Sequence, residues 1–479
     1  MNKLQIKAEI LATLRALSAS AMPEPSLLLD LKNIEDKKTV LDVLIRELLN
    51  ADEHKTLLIC WLMTELIEKD KLNDELWDVI KSPEYSDHIK MVAFNMLKDL
   101  GNKIDYDVIS GYFEKFNELI NKETKELLDT AIMNPEAQID FMDFLNSLAD
   151  KDKTLLIKSL EDDYAGDALA NIVIPVFLYN MDNEVGEEAL NILAKTKSQL
   201  AFHALDNALK FAKGDIVSKI KKALSELKIS GVRIDNTIEF YKEILKESKP
   251  YKSYISFPDG LGNLAIIFSR KRDENKTLQF LAIVINPRFG ILDAFGFNSM
   301  TERDFYKIVD KFYNYQEKYE IDASFVKHLI NRAVEDSYEN NEKMPYEYIC
   351  WESILLDIEP VRPDLNLEKR ELNQKEVDKL CLSDYVQNWF YDEITSDEFN
   401  EFIEKLSNEY KNNNYNVDLD KFIAENYNSI FTEKELEYQA INFKLAAYLR
   451  YLKNDNELAE QFYSSFQQEA LHPIPLNCL

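Results

Sequence analysis

The chain has 479 residues, 46% of them hydrophobic, and a formal net charge of −29 with a pI near 4.7. That length suits about three domains of roughly 150 residues, with enough apolar side chains for sizeable cores. So acidic a surface repels phosphate backbones and anionic lipid, so neither bulk nucleic-acid nor membrane-surface binding is expected, and solubility is the plain reason for the charge.

The first residues carry Lys3 and Lys7 ahead of the small-residue stretch 18–21, but Glu9 and Arg15 interrupt any apolar core. They read as an amphipathic helix on Leu4, Leu11 and Leu14 rather than a signal peptide. The longest apolar runs, 57–63 and 172–179, are too short to cross a bilayer. Cys60, Cys350, Cys381 and Cys478 lie far apart with no CxxC, as reduced thiols of a cytoplasmic protein do.

From Thr39 to Leu227 one amphipathic helix follows another: 39–50, 55–69, 73–81, 87–100, 105–120, 122–132, 135–148, 151–160, 167–180, 184–195, 198–212 and 214–227. Pro175 should kink or start a helix, because it removes a backbone donor. Two stretches share an order of acid, aliphatic, small, Leu, Leu. One runs from Asp87 through Ala93, Leu97 and Leu100 to Gly101. The other runs from Asn183 through Val185, Ala189, Leu190 and Leu193. Both resemble the second half of a HEAT repeat, where a small alanine lets paired helices approach closely. The resemblance covers residues 39–227 and implies an α-solenoid with an extended surface for a protein partner. A compact helical bundle that binds nothing fits the same pattern.

The period changes after Gly231. A helix at 236–246 carrying Ile238, Tyr241 and Leu245 should cover the sheet that follows. Residues 263–269 and 277–285 alternate with a period of two and are rich in Ile, Val and Phe, which predicts strands. Asp259-Gly260 and the run 286–290 mark turns, so 251–256, 263–269, 277–285 and 291–297 form a four-stranded antiparallel meander. Ser299 with Glu302 reads as a capping box opening a helix on Phe305, Ile308, Val309, Phe312 and Tyr315. A second helix runs from Asp322 to about Tyr338, and Pro345 suits a first helical turn. Residues 358–367, with Pro360 and Pro363, are the clearest linker. Helices near 373–381, 384–391, 396–411, 418–429, 433–453 and 455–470 follow. Residues 331–440 hold 27 acidic against 11 basic side chains.

The expected architecture is therefore mainly α with a small α+β domain. It comprises a HEAT-like helical domain at 1–230, an α+β domain at 231–357 and an acidic helical domain at 358–479.

No P-loop, HExxH or GxSxG occurs, and Gly260-x-Gly262 lacks a third glycine because Ala265 stands there. The five histidines, His54, His88, His203, His328 and His472, are isolated in sequence. No zinc, metal or other cofactor is expected, and no residue is assigned as catalytic. Asn414, Asn416, Asp418 and Glu425 imitate an EF-hand loop, yet Leu419 stands where the turn needs glycine. The best ligand-binding candidates are Asp259, Arg288 and Asp293, on or beside the glycine turns of the meander. Asp293 is expected to be partly buried between Ile291 and Phe295, with Arg288 as its partner. A structural ion pair plus a turn-capping aspartate explains the same residues. The leading expectation is a non-enzymatic protein-interaction or scaffold protein with an unidentified protein partner. The alternatives are an enzyme with an acidic, metal-assisted central site, and an acidic mimic of nucleic acid.

Overall fold

The computed structural model describes residues 3–18, 28–102, 104, 106–233, 236–259, 261–272, 274, 276–314, 316–365, 367–386, 397–412, 421–422, 425–426 and 433–465. It is mainly helical, with one antiparallel sheet in the middle of the sequence. The chain divides into two compact units, Met1–Glu126 and Leu127–Leu479. The boundaries expected at 230 and 357 both fall inside the second unit.

The first unit is helical. Helices Lys3–Ser18, Lys37–Leu48, Glu53–Leu66, Lys69–Lys81 and Asp87–Asp99 pack on their sequence neighbours around one core that includes Ile10, Leu44, Leu62, Ile80, Phe94 and Leu97. Two starts are fixed by aspartate caps: Asp36 accepts from the Thr39 N–H and Asp52 from the Lys55 N–H.

The second unit opens with helices in two rows. Pro135–Ser147, Gly166–Tyr179 and Gln199–Leu209 pack in one row, and Asp150–Asp163, Glu184–Lys195 and Ile216–Ile229 in the other. Pro175 lies inside its helix instead of starting or ending one. The carbonyl it orphans is that of Asn171, four residues back, and the Gln138 Nε2 from the next helix of the row donates to it at 3.2 Å. At Gly186 a side chain would collide with the Asn180 carbonyl, so glycine permits the tight hairpin between the rows.

The sheet has five strands: β1 (Ser248–Ser256), β2 (Leu264–Arg272), β3 (Leu278–Asn286), β4 (Gly290–Met300) and β5 (Lys318–Glu320), ordered β4-β3-β2-β1-β5 and antiparallel throughout. The first four form the expected meander. The fifth has only three residues, too few for an alternating pattern. One face packs Ile266, Phe268, Leu281, Ile283 and Ile291 against helices Ala323–Asn340 and Tyr346–Trp351. On the other, helix Glu302–Tyr313 packs Phe305 edge-on to Phe280. Its cap is Thr301, which accepts from the Asp304 N–H, and not Ser299, because β4 runs on to Met300. The short helix Thr237–Ile244 does not cover the sheet as expected; its Tyr241 joins the core of the helical rows, together with Cys350.

Two buried arginines tie distant segments together. Arg270 on β2 is 1% exposed and spends its guanidinium on Ser248, the Ile354 carbonyl and both oxygens of Asp357. Arg450, on helix Glu433–Leu452, donates to Glu317, Tyr319 on β5, Tyr385 and Asp455.

Candidate functional site

Of the three residues singled out by the sequence, Asp259 and Arg288 belong to one structural network and Asp293 does not. Asp259 caps its own turn: its carboxylate accepts from the Leu261 N–H at 2.9 Å and from the backbone and side chain of Asn263. Asn263 in turn accepts from Asn286 at 2.8 Å, and Asn286 accepts from the Arg288 N–H. The β1–β2 and β3–β4 turns are thus knitted together, and Asp259 and Arg288 belong to one chain of hydrogen bonds. The Arg288 guanidinium lies over the Tyr438 ring. Asp293 departs from expectation. It is exposed, and among the described residues its carboxylate bonds only the N–H of its neighbour Ala294. The cause is a bulge in β4. Val284 pairs with Asp293 but Ile285 pairs with Ile291, so Leu292 is skipped and the alternation changes phase. Ile291 and Ala294 face the core, and Asp293 faces out with Phe295. Gly260, Asn414, Asn416 and Asp418 lie outside the described residues.

A cavity of about 940 Å³ in the second unit borders these turns through Asn286 and Pro287. Three elements wall it. Helix Ala323–Asn340 presents Phe325, His328, Leu329 and Arg332. The stretch read from sequence as a linker, 358–367, presents Arg362 and Leu365, and Lys369 follows it. Helix Glu433–Leu452 presents Lys444, Leu445 and Tyr448. The helical rows position the middle wall. They hold helix Tyr346–Trp351, through Tyr346 against Tyr179 and a hydrogen bond from Tyr346 to Asp143, and the groove wall leaves that helix within a few residues.

The groove gathers cations in a strongly acidic chain. Arg332 is committed, 2.9 Å from Asp336 with Glu335 and Glu339 near. Arg362 is exposed and makes no hydrogen bond or ion pair with any described residue. Lys369 lies over the Tyr463 ring. Burial pushes Lys444 below the ordinary lysine range, and the charges of Arg362 and Lys369 push it further. Burial and then the Arg362 charge likewise push His328 down, with Glu335 opposing. The like charges of Arg362 and Lys369 thus add to burial in disfavouring the charged form of Lys444. The floor is apolar: Leu264, Phe325, Leu329, Leu445 and Tyr448.

A second cavity of about 100 Å³ is lined by Glu352, Gln138, Asn171, Tyr241 and Cys350. Burial raises the Glu352 carboxyl against the pull of Lys327 and Lys210, and raises the Cys350 thiol out of the thiolate range. Neither group is poised as a nucleophile there. Among the described residues no three metal-binding side chains cluster, and no helix is long and apolar enough to cross a membrane.

Sequence reasoning missed the groove because its cations come from three separated segments. One local signal existed: Arg362, Lys369 and Arg370 fall close together within the most acidic third of the chain. Comparison with family models, curated proteins and solved structures finds no match to this chain.

Proposed function

We propose that this is a non-enzymatic interaction protein that docks an acidic, partly apolar segment of a protein partner in the groove between helices 323–340 and 433–452. The observation that carries this reading is the set of cations Arg362, Lys369 and Lys444 over an apolar floor, in a chain whose net charge has the opposite sign. A uniformly acidic protein gains nothing in solubility by gathering cations around a cavity, whereas charge complementarity to an anionic partner speeds and orients encounter. A HEAT-like reading of the helical rows belongs to the same proposal: paired helices in two rows are the packing that the alanine pattern implies. One row already holds helix Tyr346–Trp351, so the rows act as the frame for the groove wall and the groove takes the partner. The enzyme alternative gains no support from Asp259 or Asp293, since one caps a turn and the other points outward.

The test is charge reversal. Arg362→Glu should leave the melting temperature within a few degrees of wild type, since Arg362 has no partner to lose among the described residues. Proteins captured by the wild type from native extract should be lost by the variant, and should also release from the wild type at high salt. An unchanged set of captured proteins would overturn the assignment of the groove.

A further inference from the structure

We propose that the group read by this groove is a chain end: the α-carboxylate of a partner protein's last residue, held by Arg362, with the apolar side chain of that residue on the floor below. This rests on the docking role proposed above and names the feature of the partner that fills it.

The cations of the groove are not equally available. Arg332 is taken by Asp336, and Lys369 and Lys444 have interactions of their own within the chain. Arg362 makes no hydrogen bond or ion pair with any described residue, so one guanidinium fork is open. A planar fork meets both oxygens of one carboxylate side by side. The lining also holds three acids. Glu335 and Asp336 lie beside Arg332, and among the described residues Asp364 forms no ion pair. These acids make each further negative charge on a guest more costly, so a single carboxylate suits the site.

Two neutral groups share the lining. Neither the amide of Asn331 nor the ring nitrogens of His328 bond a described residue. The Asn331 amide can accept the N–H of a last residue, and the His328 ring, stacked on Phe325, adds a donor for the carboxylate. Below them Phe325, Leu329, Leu445 and Tyr448 are apolar, and about 940 Å³ is a size that takes a small ligand or the end of a peptide. A last residue carries its carboxylate, its N–H and its side chain on one Cα, so it answers the fork, the amide and the floor together. An internal acid brings its carboxylate on the side chain and leaves the floor to a second residue.

The experiment is calorimetric titration of the full-length chain, at low salt, with an acetylated tripeptide of two alanines and a final phenylalanine. Three relatives are titrated beside it: the same peptide ending in a carboxamide, one with serine as its last residue, and one with an internal aspartate before a phenylalanine carboxamide. The free-acid phenylalanine peptide should bind at one site, and each relative about tenfold more weakly or worse. Arg362→Ala should weaken the free acid by about tenfold, with the carboxamide and the melt unchanged. A merely structural role for Arg362 would weaken both peptides alike. No binding of the free acid, equal affinity for the carboxamide or the internal aspartate, or indifference to Arg362→Ala would each overturn the proposal. Phenylpropionate has the carboxylate and ring without the peptide group, and should bind more weakly than the peptide; equal affinity would overturn assignment to a chain end in favour of a small acid. Loss of captured partners on Arg362→Glu would survive those results, so the docking role and the chain-end reading fail separately.

Discussion

At the scale of single residues, the buried polar groups determine what each substitution costs. Gln138 exists in its helix to answer the carbonyl that Pro175 leaves open. Gln138→Ala should therefore cost about 0.5–1.5 kcal/mol, the net loss of a half-buried hydrogen bond beside a small cavity. In a Pro175→Ala background the restored N–H at position 175 can reach that carbonyl, and the same change should cost less. A double-mutant cycle by urea unfolding measures the coupling, and simple additivity would dismiss the link. Asp336 gives a pH signature. It is 4% exposed, and burial raises its carboxyl to about 6 despite the nearby Arg332. The unfolded chain loses this proton near pH 4 and the folded chain near pH 6, so between those values the folded state binds more protons. The contribution of Asp336 to stability is therefore greatest below about pH 4 and declines as pH rises through that window, by about 3 kcal/mol at ~1.4 per unit. Asp336→Asn should flatten the curve from pH 4 to 6 relative to wild type, read by urea unfolding at each pH. Matching slopes would refute it. Neither role was legible in the sequence: a glutamine opposite a proline carbonyl, or a carboxyl sunk beside a groove, depends on contacts between helices far apart in the chain.

At the scale of elements, the sheet was the most legible part of the chain. Alternation in 263–269 and 277–285 placed two strands, β2 and β3, because a period of two leaves no helical stripe. What the alternation could not carry was the bulge, which turned Asp293 outward, and the three-residue β5. The bulged β4 is also an edge strand, and three of its N–H groups are answered by side chains. Ser337 accepts from Ile291, Asp293 from Ala294 and Glu136 from Asn298. Such an edge resists pairing with another chain. The turn into β4 depends on Gly290, which has φ +77°, and an added Cβ would sit 1.9 Å from the Ser337 Oγ and 2.5 Å from the Ala333 carbonyl. Gly290→Ala should therefore destabilise the second unit by at least about 2 kcal/mol, combining left-handed strain with a backbone collision. Removing the hydroxyl with Ser337→Ala should rescue only part, since the Ala333 carbonyl remains. A thermal melt of the two variants checks the order, and an unchanged midpoint for Gly290→Ala would contradict it.

At the scale of the whole molecule, local periodicity found most helices but not how their cores are shared. The change of period near Gly231 looked like a boundary, yet Tyr241 and Cys350 complete the core of helices 127–227, and Tyr346 and Leu356 pack on it. A fragment ending at 230 should therefore melt in two parts, one cooperative and one broad. Met1–Glu126 alone should unfold cooperatively, because its core draws on its own helices. A single sharp transition for 1–230 in circular dichroism would count against that. The central claim is that the partner is held by the cation-lined groove of the second unit. Lysine-directed cross-linking of the protein in native extract, read by mass spectrometry, tests it most directly. Partner peptides should be joined at Lys369 and Lys444, and should be lost when Arg362 is reversed to Glu. Partner cross-links confined to the lysines of Met1–Glu126 would contradict it.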